Sequence, residues 1–138
     1  MMLLIVFQLT LPNAAVTPGL TRGLDQKTVC STKWGKDARH VTEAMKRQVA
    51  KNYGIDRKTI VAYGKGVCCE FDHLISRVLG GADDVKNLWP QPWADAKKKD
   101  VLENWLHRQV CNGGLSLTVV QNDIATDWAA AYKKAGLK

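Results

Sequence analysis

Residues 70–88 read EFDHLISRVLGGADDVKNL. They open inside an apolar run, 67–75, that has the length of a strand. Side chains alternate between faces along a strand, so Phe71 and His73 share one face and Asp72 takes the other. An ionisable Asp-His pair in such a run draws attention to its chemistry. An imidazole transfers protons near neutral pH, and a carboxylate is a hard oxygen ligand suited to Mg2+ or a similar ion. Gly80-Gly81 and Asp83-Asp84 then mark an irregular loop. Residues 87–89 are expected as a short strand, with Pro90 and Pro92 preventing regular ladder pairing there.

The flanking segments supply the rest of the fold. Residues 59–63 are β-branched and predict a strand, which a turn at Gly64-Lys65-Gly66 would join to 67–75 as a hairpin. A helix is expected over 40–53, where Val41, Met45, Val49 and Tyr53 form one apolar stripe and Gly54 fits a left-handed cap. A second runs from about 94 to just before Gly113, with Val101, Leu102, Trp105, Leu106 and Val110 facing inward. A third fits 117–132, buried through Val120, Ile124, Trp128 and Ala131, with capping-box spacing at Thr118 and Gln121. The expected class is α+β: a small β-hairpin plus helix core with additional flanking helices.

Length allows one domain, placed at 16–138, with 16–30 as an N-terminal arm. Residues 16–28, rich in Thr, Gly and Pro, read as a linker or extended arm. Residues 1–15 carry no charge, contain an apolar run and end in small residues, so they read as a secretory leader cleaved near Ala15. The expected location is secreted or periplasmic; the alternative is cytoplasmic or phage-associated. No stretch is long and apolar enough to span a membrane, and the expected state is a monomer. Twenty Lys and Arg against thirteen Asp and Glu give a formal charge of +7, a surplus that favours polyanions through attraction and counterion release. The four cysteines, Cys30, Cys68, Cys69 and Cys111, suit two disulfides in an oxidising compartment. Cys68 and Cys69 are adjacent, so each is expected to find a distant partner. Adjacent cysteines do not match the spacing of structural zinc sites, and free buried thiols are the state expected in the cytosol.

The segment 72–88, DHLISRVLGGADDVKNL, resembles the HNH (ββα-metal) nucleases. The likeness rests on the Asp-His pair, the Gly-Gly step, Asn87-Leu88 fourteen residues after His73, and the helix that follows. WPQPW at 89–93 and KKDVLENWLHRQVC at 98–111 extend it toward a bacterial and phage branch with a leader peptide. The resemblance implies a metal-dependent endonuclease that hydrolyses phosphodiester bonds, DNA rather than RNA, with low sequence specificity. The alternative is a basic nucleic-acid-binding module on the same scaffold, without catalysis. His73 would be the general base, Asn87 would hold the loop and orient His73, and Asp72 would bind the metal. In the helix window expected to hold the last ligand, Asp95 is the only suitable side chain, 22 residues after His73. Two carboxylates and no second histidine imply one divalent ion, Mg2+ or Mn2+ over Zn2+.

Arg77 and Lys86 flank the loop, and Lys97, Lys98 and Lys99 open the second helix. All are candidates for phosphate contacts, which position nucleic acid without reading its sequence; Arg39 is a further candidate. Trp105 and Trp128 fall on apolar stripes and are expected in the core, whereas Trp89 and Trp93 are expected nearer the surface. His107 lies about 18 Å along the helix from Asp95, too far to share its metal, and is expected to be structural or phosphate-facing.

Overall fold

Phe71 lies opposite Pro90, and Asp72 opposite Trp89, in the two-stranded antiparallel sheet at the centre of the chain. The computed structural model describes residues 9–60 and 68–137. Strand β1 is Cys69–His73 and strand β2 is Leu88–Pro92. Just beyond the strands, Leu74 N donates to Asn87 O at 2.8 Å and Trp93 N to Cys68 O at 3.1 Å. Counted inward through the register, the hydrogen-bonded pairs are Asp72–Trp89 and Glu70–Gln91. Pro90 and Pro92 therefore occupy the alternate pairs, where no N–H is needed. The expectation that these prolines prevent pairing is corrected, and β2 runs through both of them.

Of the partner strand expected at 59–63, the described residues include only 59 and 60. Asp56 accepts from Lys58 N at 2.9 Å and starts one turn of 3-10 helix at Arg57–Thr59. Ile60 then makes a single bridge to Cys69. The remainder of that strand and the Gly64-Lys65-Gly66 turn lie outside the described residues. Among the described residues, the strand that pairs with β1 comes after the long Gly-Gly loop. The fold is α+β, a two-stranded sheet with helices around it.

Helix α1 (Gln26–Ser31) forms at the end of the expected arm and is capped by Asp25. Helix α2 (Glu43–Asn52) starts where the Thr42 side chain accepts from Met45 N at 3.2 Å. It ends at Gly54, whose φ of 63° is the left-handed geometry expected of it. Helices α3 (Trp93–Asn112) and α4 (Leu117–Lys134) follow, and Ser116 rather than Thr118 caps the second. Leu102, Leu106 and Val110 of α3 and Val120, Ile124 and Trp128 of α4 form one core with Leu74, Leu79 and Trp89. Each such side chain contributes about 1.5–3 kcal/mol by leaving water. Trp128 is core as expected, but Trp89 is buried as well, under α3, and is not a surface residue.

The arm is not a free linker. Gly19 N donates to Lys86 O at 2.9 Å, Arg22 N to Gly80 O at 2.8 Å, and Ala82 N to Leu20 O at 2.9 Å, so it is stitched to the Gly-Gly loop. Packing of α1 on α3 brings the Cys30 and Cys111 Cα atoms to 5.5 Å, and these cysteines form a disulfide. Cys30 and Cys111 are thereby taken up by each other, so neither is the distant partner expected for Cys68 or Cys69, which lie side by side at the start of β1. Residues 1–8 of the expected leader lie outside the described residues. Beyond them, Thr10 O accepts from Trp128 Nε1 at 2.8 Å. Among the described residues no helix is long and apolar enough to cross a membrane.

Candidate active site

The loop between β1 and β2 is shaped by its own backbone. Gly80 adopts φ 84°, in the left-handed region. A Cβ on Gly81 would collide with Ile75 O, so this position accepts no side chain without movement. Asn87, fully buried, ties the loop together. Its Nδ2 donates to Ile75 O and Ala82 O, each at 3.0 Å, and its Oδ1 accepts from Ile75 N at 2.9 Å. Asn87 thus takes the loop-holding place proposed for it, but its side chain makes no hydrogen bond to His73.

The partner of His73 is Asp83, in the loop between the strands. His73 Nε2 lies 2.7 Å from Asp83 Oδ1. The other Asp83 oxygen, Oδ2, accepts from His40 N at 2.7 Å, and Arg77 Nε approaches Oδ1 at 3.2 Å. Burial holds the His73 imidazole below its usual pKa, against the opposing pull of Asp83, so it is neutral at pH 7. Burial alone would raise the Asp83 carboxyl, but the donors from His40 and His73 and the charge of Arg77 outweigh it and hold the carboxyl low.

Asp72 reaches α3, and with His73 it lines a cleft of about 560 Å3. Its Oδ2 meets Lys99 Nζ at 2.9 Å and accepts from Trp89 Nε1 at 2.8 Å. Lys99 is wholly buried and also reaches Glu103 Oε1 at 2.5 Å and His73 O at 2.8 Å. Burial would strip this ammonium of its proton, but Asp72 and Glu103 beside it overcome the penalty and raise its pKa. Lys99 is therefore an internal strut between β1 and α3, not a phosphate contact. Its sequence position carried that signal, because Lys99, Leu102, Leu106 and Val110 fall on one helical stripe.

His73 faces two adjoining clefts, of about 810 and 560 Å3. Arg39, Glu70, Phe71 and Asp100 line both, Lys46, Arg57 and Lys97 belong to the larger, and Arg77 belongs to the smaller. Burial, with the nearby charge of Asp72, pushes the Glu70 carboxyl up to about 7 and raises Asp100 as well. The clefts are accordingly less negative at neutral pH than their carboxylates suggest. No family model, curated protein or solved structure matches the chain.

The remaining expected site residues divide by helix geometry. Trp93, Ala96, Lys97 and Asp100 share the face of α3 that lines the larger cleft. Asp95 is five residues before Asp100, about 140° round the helix. It lies buried, and its Oδ2 accepts from Thr10 N at 2.9 Å. The structure does not bring Asp95 to His73. Lys97 is on the cleft, whereas Lys98 and Lys86 are exposed but line neither cleft. Arg77 is present but spoken for: it donates to Asp37 Oδ2 at 2.6 Å and Ala38 O at 2.7 Å besides approaching Asp83. His107 is structural, with Nε2 3.4 Å from Val29 O. Among the described residues, no three His, Cys, Asp or Glu side chains are grouped to hold a metal ion. The carboxylates expected to do so are engaged elsewhere: Asp95 accepts from Thr10 N, and the charge of Asp72 is matched by the buried Lys99 ammonium.

Proposed function

We propose that this protein is a nuclease of the HNH type that hydrolyses phosphodiester bonds in nucleic acid, DNA foremost, with His73 as general base. The observation that carries the reading is an imidazole hydrogen-bonded to a carboxylate where two clefts meet, the larger walled by Arg39, Lys46 and Lys97. Cationic walls hold a phosphate chain. A neutral imidazole has a lone pair with which to take a proton from an attacking water, a contribution of about 10²- to 10⁴-fold. The surplus of +7 adds long-range attraction. No step of this reading runs through an ion on Asp72 and Asp95, because both side chains are engaged elsewhere, Asp95 with Thr10 N and Asp72 with Lys99. The Cys30–Cys111 disulfide supports an exported or periplasmic location.

The same two side chains favour one second reading. With Asp72 neutralised by Lys99 and Asp95 turned to the core, the scaffold would bind nucleic acid without cutting it. Labelled single-stranded and duplex DNA and RNA, incubated with EDTA or with Mg2+, Mn2+ or Zn2+ beside His73→Ala, separate the two. Shortened products that require His73 support the nuclease. Strands that are retarded on a gel yet stay intact under every condition support the binding module.

A further inference from the structure

We infer that Asp83 is the positioning residue for His73: it holds the ring as the Nε2–H tautomer and turns Nδ1 toward the cleft as the proton acceptor. The functional part of this inference rests on the nuclease reading; the structural part does not.

The direction of the hydrogen bond follows from the chemistry of the partners. An ionised carboxylate only accepts, so the proton in the 2.7 Å contact between His73 Nε2 and Asp83 Oδ1 belongs to the ring. A neutral imidazole carries one N–H, which leaves Nδ1 with a lone pair. Nδ1 makes no hydrogen bond among the described residues, yet it is not a buried atom lacking a partner, and His73 lines both clefts. It is the ring nitrogen open to a water. Asp83 is itself fixed. His40 N donates to its Oδ2 at 2.7 Å and Arg77 Nε approaches its Oδ1 at 3.2 Å. Asn87 binds Ala82 O, one residue away, at 3.0 Å. The Gly80-Gly81 step lets the chain turn back tightly enough to bring Asp83 under the ring. Asn87 therefore acts on His73 at one remove, through the loop that carries Asp83.

Asp83→Asn tests this at one atom. The His40 N–H needs an acceptor, so the amide oxygen stays at the Oδ2 position and the NH2 group faces His73. A donor there forces Nε2 to accept, and the ring proton moves to Nδ1, closing off the lone pair that faces the cleft. Nitrogen-15 spectra of histidine-labelled full-length protein read the tautomer without any cleavage assay. The expected result is Nε2–H in the wild type and Nδ1–H in Asp83→Asn, with kcat lower by about 10²- to 10⁴-fold and KM within about two-fold. An Nδ1–H tautomer in the wild type would overturn the inference, even if the variant failed to fold. So would an unchanged tautomer in a folded variant. If the tautomers behave as expected but no nucleic acid is cut, the positioning stands and the nuclease reading fails alone.

Discussion

Replacing Lys99 by Met should destabilise the fold more than any change to the exposed lysines beside it. The ammonium is fully buried and meets Asp72 at 2.9 Å, Glu103 at 2.5 Å and His73 O at 2.8 Å. Methionine fills similar space but leaves two buried carboxylates facing each other and a carbonyl without its donor. Breaking a buried ion pair from one side costs about 3–5 kcal/mol. Unfolding entropy near 2.1 cal/mol/K per residue amounts to about 0.29 kcal/mol/K over 138 residues, so the midpoint should fall by roughly 10–17 °C. Thermal unfolding followed by circular dichroism at pH 7 measures this. The pH dependence follows from the sign of the shifts. Burial already raises the Glu103 carboxyl to about 7, and losing the ammonium that holds it down raises it further. Its favourable contribution is present below about pH 4.5 and is lost as pH rises through the folded value. The deficit against wild type should therefore shrink on going from pH 7 to pH 4.5. A loss below about 1 kcal/mol at pH 7, or one that does not change with pH, would refute the assignment of Lys99 as an internal strut.

Three further outcomes are expected. Glu70, with its carboxyl raised from 4.5 to about 7, stabilises the fold fully below pH 4.5 and loses that contribution as pH rises through 7, so Glu70→Gln should equal wild type in chemical denaturation at pH 4 and exceed it at pH 8. Opening the Cys30–Cys111 disulfide, which spans a sequence separation of 81, should lower stability by up to about 4.5 kcal/mol from loop entropy; urea titration of Cys30→Ser/Cys111→Ser reads it. Gly81→Ala places a Cβ against Ile75 O, and the shift needed to relieve that contact should cost about 1–3 kcal/mol in the same titration and lower cleavage through the displaced Asp83.

The parts of this fold that rest on local periodicity were legible in the sequence. The apolar stripes of α3 and α4 and the left-handed Gly54 follow from i, i+3, i+4 spacing and from the freedom of glycine, except that Val101 of the expected α3 stripe is exposed. The pairing of β1 was not legible, because register is a long-range property. The β-branched run at 59–63 offered a nearer partner, and Pro90 and Pro92 hid β2, since only the ladder phase reveals that their missing N–H groups fall at positions that need none. The site divides in the same way. Phe71 and His73 share a face because strands alternate, and the Gly-Gly step marks a tight return. Asp83, ten residues from His73, reads as one of two loop acids until the loop is folded back. Asp95 and Lys99 were read by residue type, as a ligand and a phosphate contact. Their phase on α3, shared with Leu102 and Leu106, placed them on the inward side.

The most direct test of the account is the nicking of supercoiled plasmid DNA by the wild type and by His73→Ala. Both proteins should first be shown to be folded by circular dichroism, and both assayed with EDTA and with each divalent ion. The account predicts open-circular and linear products from the wild type under at least one of these conditions. It predicts none from His73→Ala, which should still retard the plasmid. Equal cleavage by the two proteins would contradict the role of His73, and an intact plasmid from the wild type under every condition would contradict the nuclease.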